Sequence, residues 1–201
     1  LQLAIFWIAT AWVAGGLFLA PLVGGGDPPG QRALVNVLFG ALLVVVLGSL
    51  AGEWAGVSGL LGGAWFWLGH QGSEYLDLGR FWQLLLAVGL VLWLFLMFRA
   101  LRPAIRREGS SDVSALFLYA AVAIPLFYLP ALFYGPRSNF AVIDNWRFWI
   151  IHLWVEGFFE VFATAALAFV FARMGLVSKS HAGTAVIASS ALFPFAGIPG
   201  T

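Results

Sequence analysis

Apolar runs of about 20 residues recur along this chain, and each is long enough to cross the hydrocarbon core of a bilayer. The first extends from Leu1 to Val23. Of the 201 residues, 62% are hydrophobic and only 9% are charged, whereas a soluble domain is usually about 25% charged. The sequence therefore predicts an all-α, polytopic transmembrane helix bundle and excludes an ordinary soluble domain.

The apolar runs predict about six spans within a single transmembrane domain, 1–201. The predicted spans cover residues 1–23, 33–51, 80–101, 113–134, 146–173 and 182–198. Gly15 and Gly16 are predicted close-packing points in the first span. Residues 52–79 are too polar and too rich in glycine to cross, and their Trp residues favour a segment at the membrane interface. The chain begins and stops near apolar runs without a basic leader, so we expect an internal piece of a larger polypeptide.

Basic residues are distributed unequally between the predicted loops. Counting residues at helix ends, one side holds Arg32, Arg99, Arg102, Arg106, Arg107, Arg173 and Lys179, and the other holds Arg80, Arg137 and Arg147. The positive-inside rule places the more basic side in the cytoplasm, so the helix at 146–173 enters the membrane from outside. The basic run at 99–107 also suits anionic lipid headgroups, but the topology signal already accounts for it.

The stretch Trp146–Arg173 is long enough to span a bilayer, yet it contains His152, Glu156 and Glu160. Spacings of four residues place all three on one face of a helix. A charged residue at a helix centre costs about 2.5–3.5 kcal/mol on insertion scales, so this stripe requires an explanation. A metal site, a proton path and polar pairing between helices are the alternatives. Because the chain has no Cys, a metal here takes nitrogen and oxygen ligands.

The predicted outer loop is a second stretch with several ionisable residues: Glu53, His70, Glu74 and Asp77. Glu74 and Asp77 are three residues apart near a span entrance, where carboxylate oxygens can hold a hard cation. Spacing alone favours a solvated loop in which one of the two caps the next helix. His70 is then an exposed loop histidine.

The segment HLWVEGFFE (His152–Glu160) resembles the catalytic-subunit signature of bacterial nitric oxide reductases, the branch of the haem–copper oxidase superfamily with iron in place of copper. GHQGSEYLDLGRFWQ (Gly69–Gln83) and FWIATAWVAGGLFLAPLV near the start resemble the single-chain, quinol-dependent form. The resemblance extends to about Ser178. Oxygen-reducing relatives also have a His at the position of His152 but lack Glu at the position of Glu156.

The resemblance implies a role for each matching residue. His152 corresponds to one of three His ligands of the non-haem iron, and Glu156 to its carboxylate ligand; imidazole and carboxylate together suit iron. Glu160 corresponds to a second Glu near the iron that holds or passes protons. Glu74 corresponds to the carboxylate that binds a calcium bridging the propionates of two haems b. Asp77 lies beside it, and its role is left open.

The sequence also departs from the family pattern. The family's two other His ligands form an adjacent pair after a Gly-Thr-like turn, and here Gly200–Thr201 ends the chain where that pair is expected. Pro194 and Pro199 make the last span less regular than the family leads us to expect. The family's haem ligands and quinol-contacting residues also lie outside this chain. We therefore expect a piece that does not turn over alone.

The resemblance predicts a fragment of an oxidoreductase of denitrification that reduces nitric oxide to nitrous oxide with electrons from quinol. Its expected setting is the bacterial cytoplasmic membrane, as a multi-pass protein in contact with lipid and the rest of the same polypeptide. A homodimer is possible, and no nucleic acid is expected. The alternatives are an oxygen reductase of the same superfamily, which Glu156 argues against, and a proton-coupled transporter with a His/Glu relay. A transporter usually has repeated halves, which this sequence lacks.

Overall fold

A computed structural model describes residues 2–69, 78–106 and 112–197. All regular structure in these ranges is helical, which confirms the all-α prediction. The helices are α1 (Gln2–Gly24), α2 (Gln31–Val57), the short α3 (Trp65–Leu68), α4 (Arg80–Ile105), α5 (Asp112–Tyr128), α6 (Phe140–Trp149), α7 (Ala163–Arg173) and α8 (Lys179–Gly197). Short 3-10 turns precede α3 and follow α5, at Gly62–Ala64 and Leu129–Leu132.

Four helices in the described ranges are long and apolar enough to cross a membrane. They are Gln2–Gly24, Gln31–Val57, Arg80–Ile105 and Ser114–Leu132. These helices coincide with the first four predicted spans. Residues 146–173 and 182–197 are also helical, and their crossing of the membrane stays a prediction.

The second helix is longer than the predicted span, because α2 continues to Val57 into the part assigned to the interfacial loop. Packing against α3 explains the extension. A Cβ on Gly52 would collide with the carbonyl of Leu68, so only glycine lets the two backbones approach this closely. The indole of Trp82 on α4 donates to the same Leu68 carbonyl at 2.8 Å. Tertiary contacts therefore hold residues 52–57 in the helix.

Helix α4 lies at the centre of the bundle and packs against α1, α2 and α5. Trp93, at its midpoint, is fully buried and donates its indole N–H to the Val13 carbonyl of α1 at 3.1 Å. Its ring lies 5.5 Å from that of Phe162, and Phe117 of α5 stacks on Phe162 at 5.0 Å. These rings fix the position of the helix that carries His152 and the two Glu residues.

The two predicted close-packing glycines of α1 differ in their surroundings. A Cβ on Gly16 would lie 2.9 Å from Phe162 and 3.0 Å from Trp93, so the prediction is confirmed there. A Cβ on Gly15 would meet nothing within 4 Å, so the prediction is wrong for this residue. Helical rotation explains the difference, because consecutive residues point about 100° apart.

The substitution Gly16→Leu is expected to destabilise the protein by about 1–3 kcal/mol, because it forces an extra side chain into the packed rings. The matched control is Gly15→Leu, which adds the same side chain where nothing obstructs it. Thermal unfolding of both variants in the same detergent measures the difference. Equal melting temperatures for the two variants would contradict the assigned packing.

Candidate metal and proton site

The candidate site lies on one continuous helix formed by residues 140–173, here called the site helix. The side chain of Asn139 caps its start by accepting from the Ala141 N–H at 2.9 Å. Two segments of the site helix are π-helical, Ile150–Trp154 and Gly157–Phe162. The residue spacing predicts a uniform α-helix here and gives no signal for either π-helical segment. π-Helical turns occur often at functional sites, and here they contain His152 and Glu160.

His152 and Glu156, which the sequence places on one helix face, are in contact. Nδ1 of His152 lies 3.2 Å from Oε1 of Glu156. The ring of Phe148 stacks on the imidazole at a centroid distance of 5.0 Å and an interplanar angle of 17°. The His152 and Glu156 side chains are 31% and 23% exposed, whereas Trp154, between them in sequence, is 3% exposed. The pair therefore lies on the face of the site helix that points away from the bundle core.

Glu160 lies one turn further along the site helix. It is close enough to Glu156 to interact with it electrostatically, and its side chain is exposed. Its backbone carbonyl accepts a hydrogen bond from the Ser189 hydroxyl of α8 at 2.9 Å. The structure thus brings the three predicted residues to neighbouring positions.

The pair has the chemistry and spacing of two metal ligands. Two donor atoms 3.2 Å apart can both reach one ion, since each metal–ligand bond is about 2 Å long. Imidazole nitrogen and carboxylate oxygen are donors that iron accepts. The described residues contain no cluster of three or more His, Asp or Glu that could hold a metal. His152 and Glu156 therefore fit part of a ligand set, and further ligands have to come from elsewhere.

The predicted calcium ligand and its neighbours, Glu74, Asp77 and His70, lie outside the described residues. Glu53, from the same predicted loop, is half-buried on α2. The calcium site stays a prediction.

A buried cationic cluster lies near the start of α4, where the sequence predicts Arg80 only as a charge on the outer side. Arg80 is 7% exposed and donates to the carbonyls of Ala131, at 3.0 Å, and Tyr134. Its guanidinium also lies 5.3 Å and 5.0 Å from the ring centroids of Phe66 and Tyr134. Such cation–π contacts stabilise a buried guanidinium.

A second buried arginine approaches the same tyrosine. Arg147 of the site helix is 3% exposed, and its guanidinium lies 5.5 Å from the Tyr134 ring. The Tyr134 hydroxyl accepts from the Gln83 amide at 3.3 Å. Both arginines are followed in sequence by Phe, in GRFW and WRFW, and this aromatic neighbourhood was the available signal. The cluster links α4, the turn after α5 and the site helix.

The sequence matches the family described as cytochrome c and quinol oxidase polypeptide I over residues 1–201. The chain belongs to this family. Membership makes it an integral membrane protein of the haem–copper oxidoreductase superfamily, whose members bind haem and metal centres. The family match therefore favours the reductase and oxidase interpretations of the His152–Glu156 pair over the transporter.

In this haem–copper family member, Arg80→Lys is expected to reduce the free energy of unfolding by about 1–3 kcal/mol. A lysine lacks the guanidinium fork, so one of two buried carbonyls loses its donor. The control is Arg137→Lys, at an exposed position. Chemical denaturation in detergent measures both variants. Unchanged stability of Arg80→Lys would contradict the assigned hydrogen bonds.

Proposed function

We propose that this chain is part of the catalytic polypeptide of a quinol-dependent nitric oxide reductase. The observation that carries the proposal is the contact between His152 and Glu156, 3.2 Å apart on one helix of a haem–copper family member. A carboxylate at this position matches the reductase signature, in which the non-haem metal is iron. The oxygen-reducing relatives lack this Glu.

The overall reaction of the parent enzyme combines two NO, two electrons and two protons to give one N₂O and one water. When bound, the non-haem iron and the neighbouring haem supply the electrons and hold two NO molecules close together, which is a proximity effect. The polypeptide contributes ligands, orientation and proton delivery. His152 and Glu156 are the ligands from this chain.

The residues around the pair provide its orientation. The stacked ring of Phe148 restricts the rotation of the His152 imidazole. The contact with Glu156 directs Nδ1, rather than Nε2, toward the carboxylate. On the inner side, Trp154 and Phe158 are buried in the bundle core. Ligands held in one rotamer bind a metal with less loss of conformational entropy.

Glu160 is proposed as the proton carrier of the site. It lies one turn from Glu156 on the same helix, and its side chain is exposed among the described residues. A carboxyl group can accept a proton, rotate and release it to the reaction site. Each N₂O formed requires two such transfers.

The proposed parent enzyme contains two haems b, the non-haem iron and a calcium bound by Glu74. The haem ligands and the remaining iron ligands are proposed to come from the rest of the same polypeptide. Quinol is the proposed electron donor, nitric oxide the substrate, and the bacterial cytoplasmic membrane the location. A homodimer remains part of the proposal.

Removal of either proposed ligand is expected to release the non-haem iron from the full-length enzyme. His152→Ala and Glu156→Ala should each lower the iron content by about one atom per enzyme and abolish NO reduction, while the haem absorption spectrum is kept, since the haems have other ligands. Elemental analysis alongside haem quantification measures this. His181→Ala is the matched control, because His181 is exposed and contacts the Ser178 side chain at 2.8 Å, at the start of α8.

Two outcomes would contradict the proposal. Full iron content in Glu156→Ala would mean that this carboxylate is not a ligand. Oxygen reduction without NO reduction by the purified wild-type enzyme would favour the oxidase alternative. Copper in place of the non-haem iron would point to the same alternative.

A further inference from the structure

The two sides of the second π-helical segment, Gly157–Phe162, differ in burial and in contacts. On the inner side Phe158, Val161 and Phe162 are at most 3% exposed and pack in the bundle core. On the outer side Glu160 is exposed. The hydroxyl of Ser189 donates to the Glu160 backbone carbonyl at 2.9 Å. This hydrogen bond joins two residues 29 positions apart and connects α8 to the site helix.

The π-helical segment sets the direction of the Glu160 side chain. A π-turn has i→i+5 hydrogen bonds and therefore holds more residues per turn than an α-helix. Each residue then rotates less about the helix axis than the 100° of an α-helix. Glu160 follows Glu156 by four residues, and most of that interval lies inside the π-helical segment. A change from π to α geometry would swing Glu160 around the helix relative to Glu156.

Backbone carbonyls in such a segment need hydrogen-bond donors, which the regular ladder supplies less well. An unsatisfied carbonyl in a membrane helix is costly, and side-chain hydroxyls of neighbouring helices commonly satisfy it. Ser189 provides that donor at Glu160. The neighbouring hydroxyl of Ser190 is buried and has no hydrogen-bond partner among the described residues. The two serines are therefore chemically identical but differ in what they contact.

We propose that Ser189 is a positioning residue that holds the π-helical turn at Glu160 and thereby keeps the Glu160 carboxyl beside the His152–Glu156 pair. The inference rests on the proposed function of Glu160 in proton delivery. Ser189 itself contacts only the Glu160 backbone in this role. Loss of its hydroxyl is expected to affect proton delivery and to leave iron binding and NO affinity unchanged.

The first test uses the full-length enzyme carrying Ser189→Ala. We expect kcat for NO reduction to fall about fivefold, KM for NO to stay unchanged and the solvent deuterium isotope effect on kcat to rise, since a slowed proton step affects kcat alone. Iron and haem contents should match those of the wild type. Ser190→Ala is the matched control and should leave all of these values unchanged.

Two substitutions of nearly equal shape separate the effect of the hydroxyl from the effect of packing. Ser189→Thr keeps the donor and should retain wild-type kinetics, whereas Ser189→Val has nearly the same shape without the donor and should behave as Ser189→Ala. This pair decides the question even if the alanine variant is unstable. Equal kinetics for the Thr and Val variants would overturn the proposal.

A double-mutant cycle then links Ser189 to Glu160. In the Glu160→Gln background, Ser189→Ala should cause no further loss of kcat, because the group that Ser189 positions can no longer carry a proton. Independent, multiplicative losses would assign Ser189 a purely structural role and overturn the inference. Failure of the proposed function is distinguishable, since it shows as missing non-haem iron or missing NO reduction in the wild-type enzyme.

Discussion

The packing of Phe162 determines where the site helix lies. Its fully buried ring is surrounded by Trp12 of α1, Trp93 of α4, Phe117 of α5 and Phe158 of the site helix itself. Aromatic pairs in edge-to-face and stacked arrangements contribute stabilisation beyond that of their buried area. Three other helices thus pack against one end of the π-helical segment Gly157–Phe162. The half-exposed His152 and Glu156 lie on the opposite side because the inner side is occupied.

In a low-dielectric medium a polar group needs a partner, and several polar side chains of the bundle have identifiable ones. The Arg80 guanidinium is satisfied by two carbonyls and two rings, and the Trp93 indole by the Val13 carbonyl. His152 and Glu156 satisfy each other in the described residues.

Much of this architecture could be predicted from sequence. Long apolar runs predict the approximate bounds of the four long apolar helices in the described ranges, because a bilayer requires a minimum apolar length. The four-residue spacing of His152 and Glu156 places them together on any helix, and their contact is observed. The extension of α2 to Val57 could not be predicted in this way, because it depends on the approach of the Leu68 carbonyl to Gly52. Likewise, Gly15 and Gly16 look equivalent in sequence, and only the neighbouring rings distinguish them.

The sequence by itself determined the membrane class, the all-α fold and the polar stripe of the site helix, because apolar length and helical periodicity are local properties. The tertiary structure decided the two π-helical segments, the burial of Arg80 and Arg147 around Tyr134 and the hydrogen bond from Ser189 to Glu160. The arginine contacts and the serine hydrogen bond join groups far apart in the chain. π-Helical turns are rare in helices, and the neighbour that contacts the second one, Ser189 of α8, is 29 residues from Glu160.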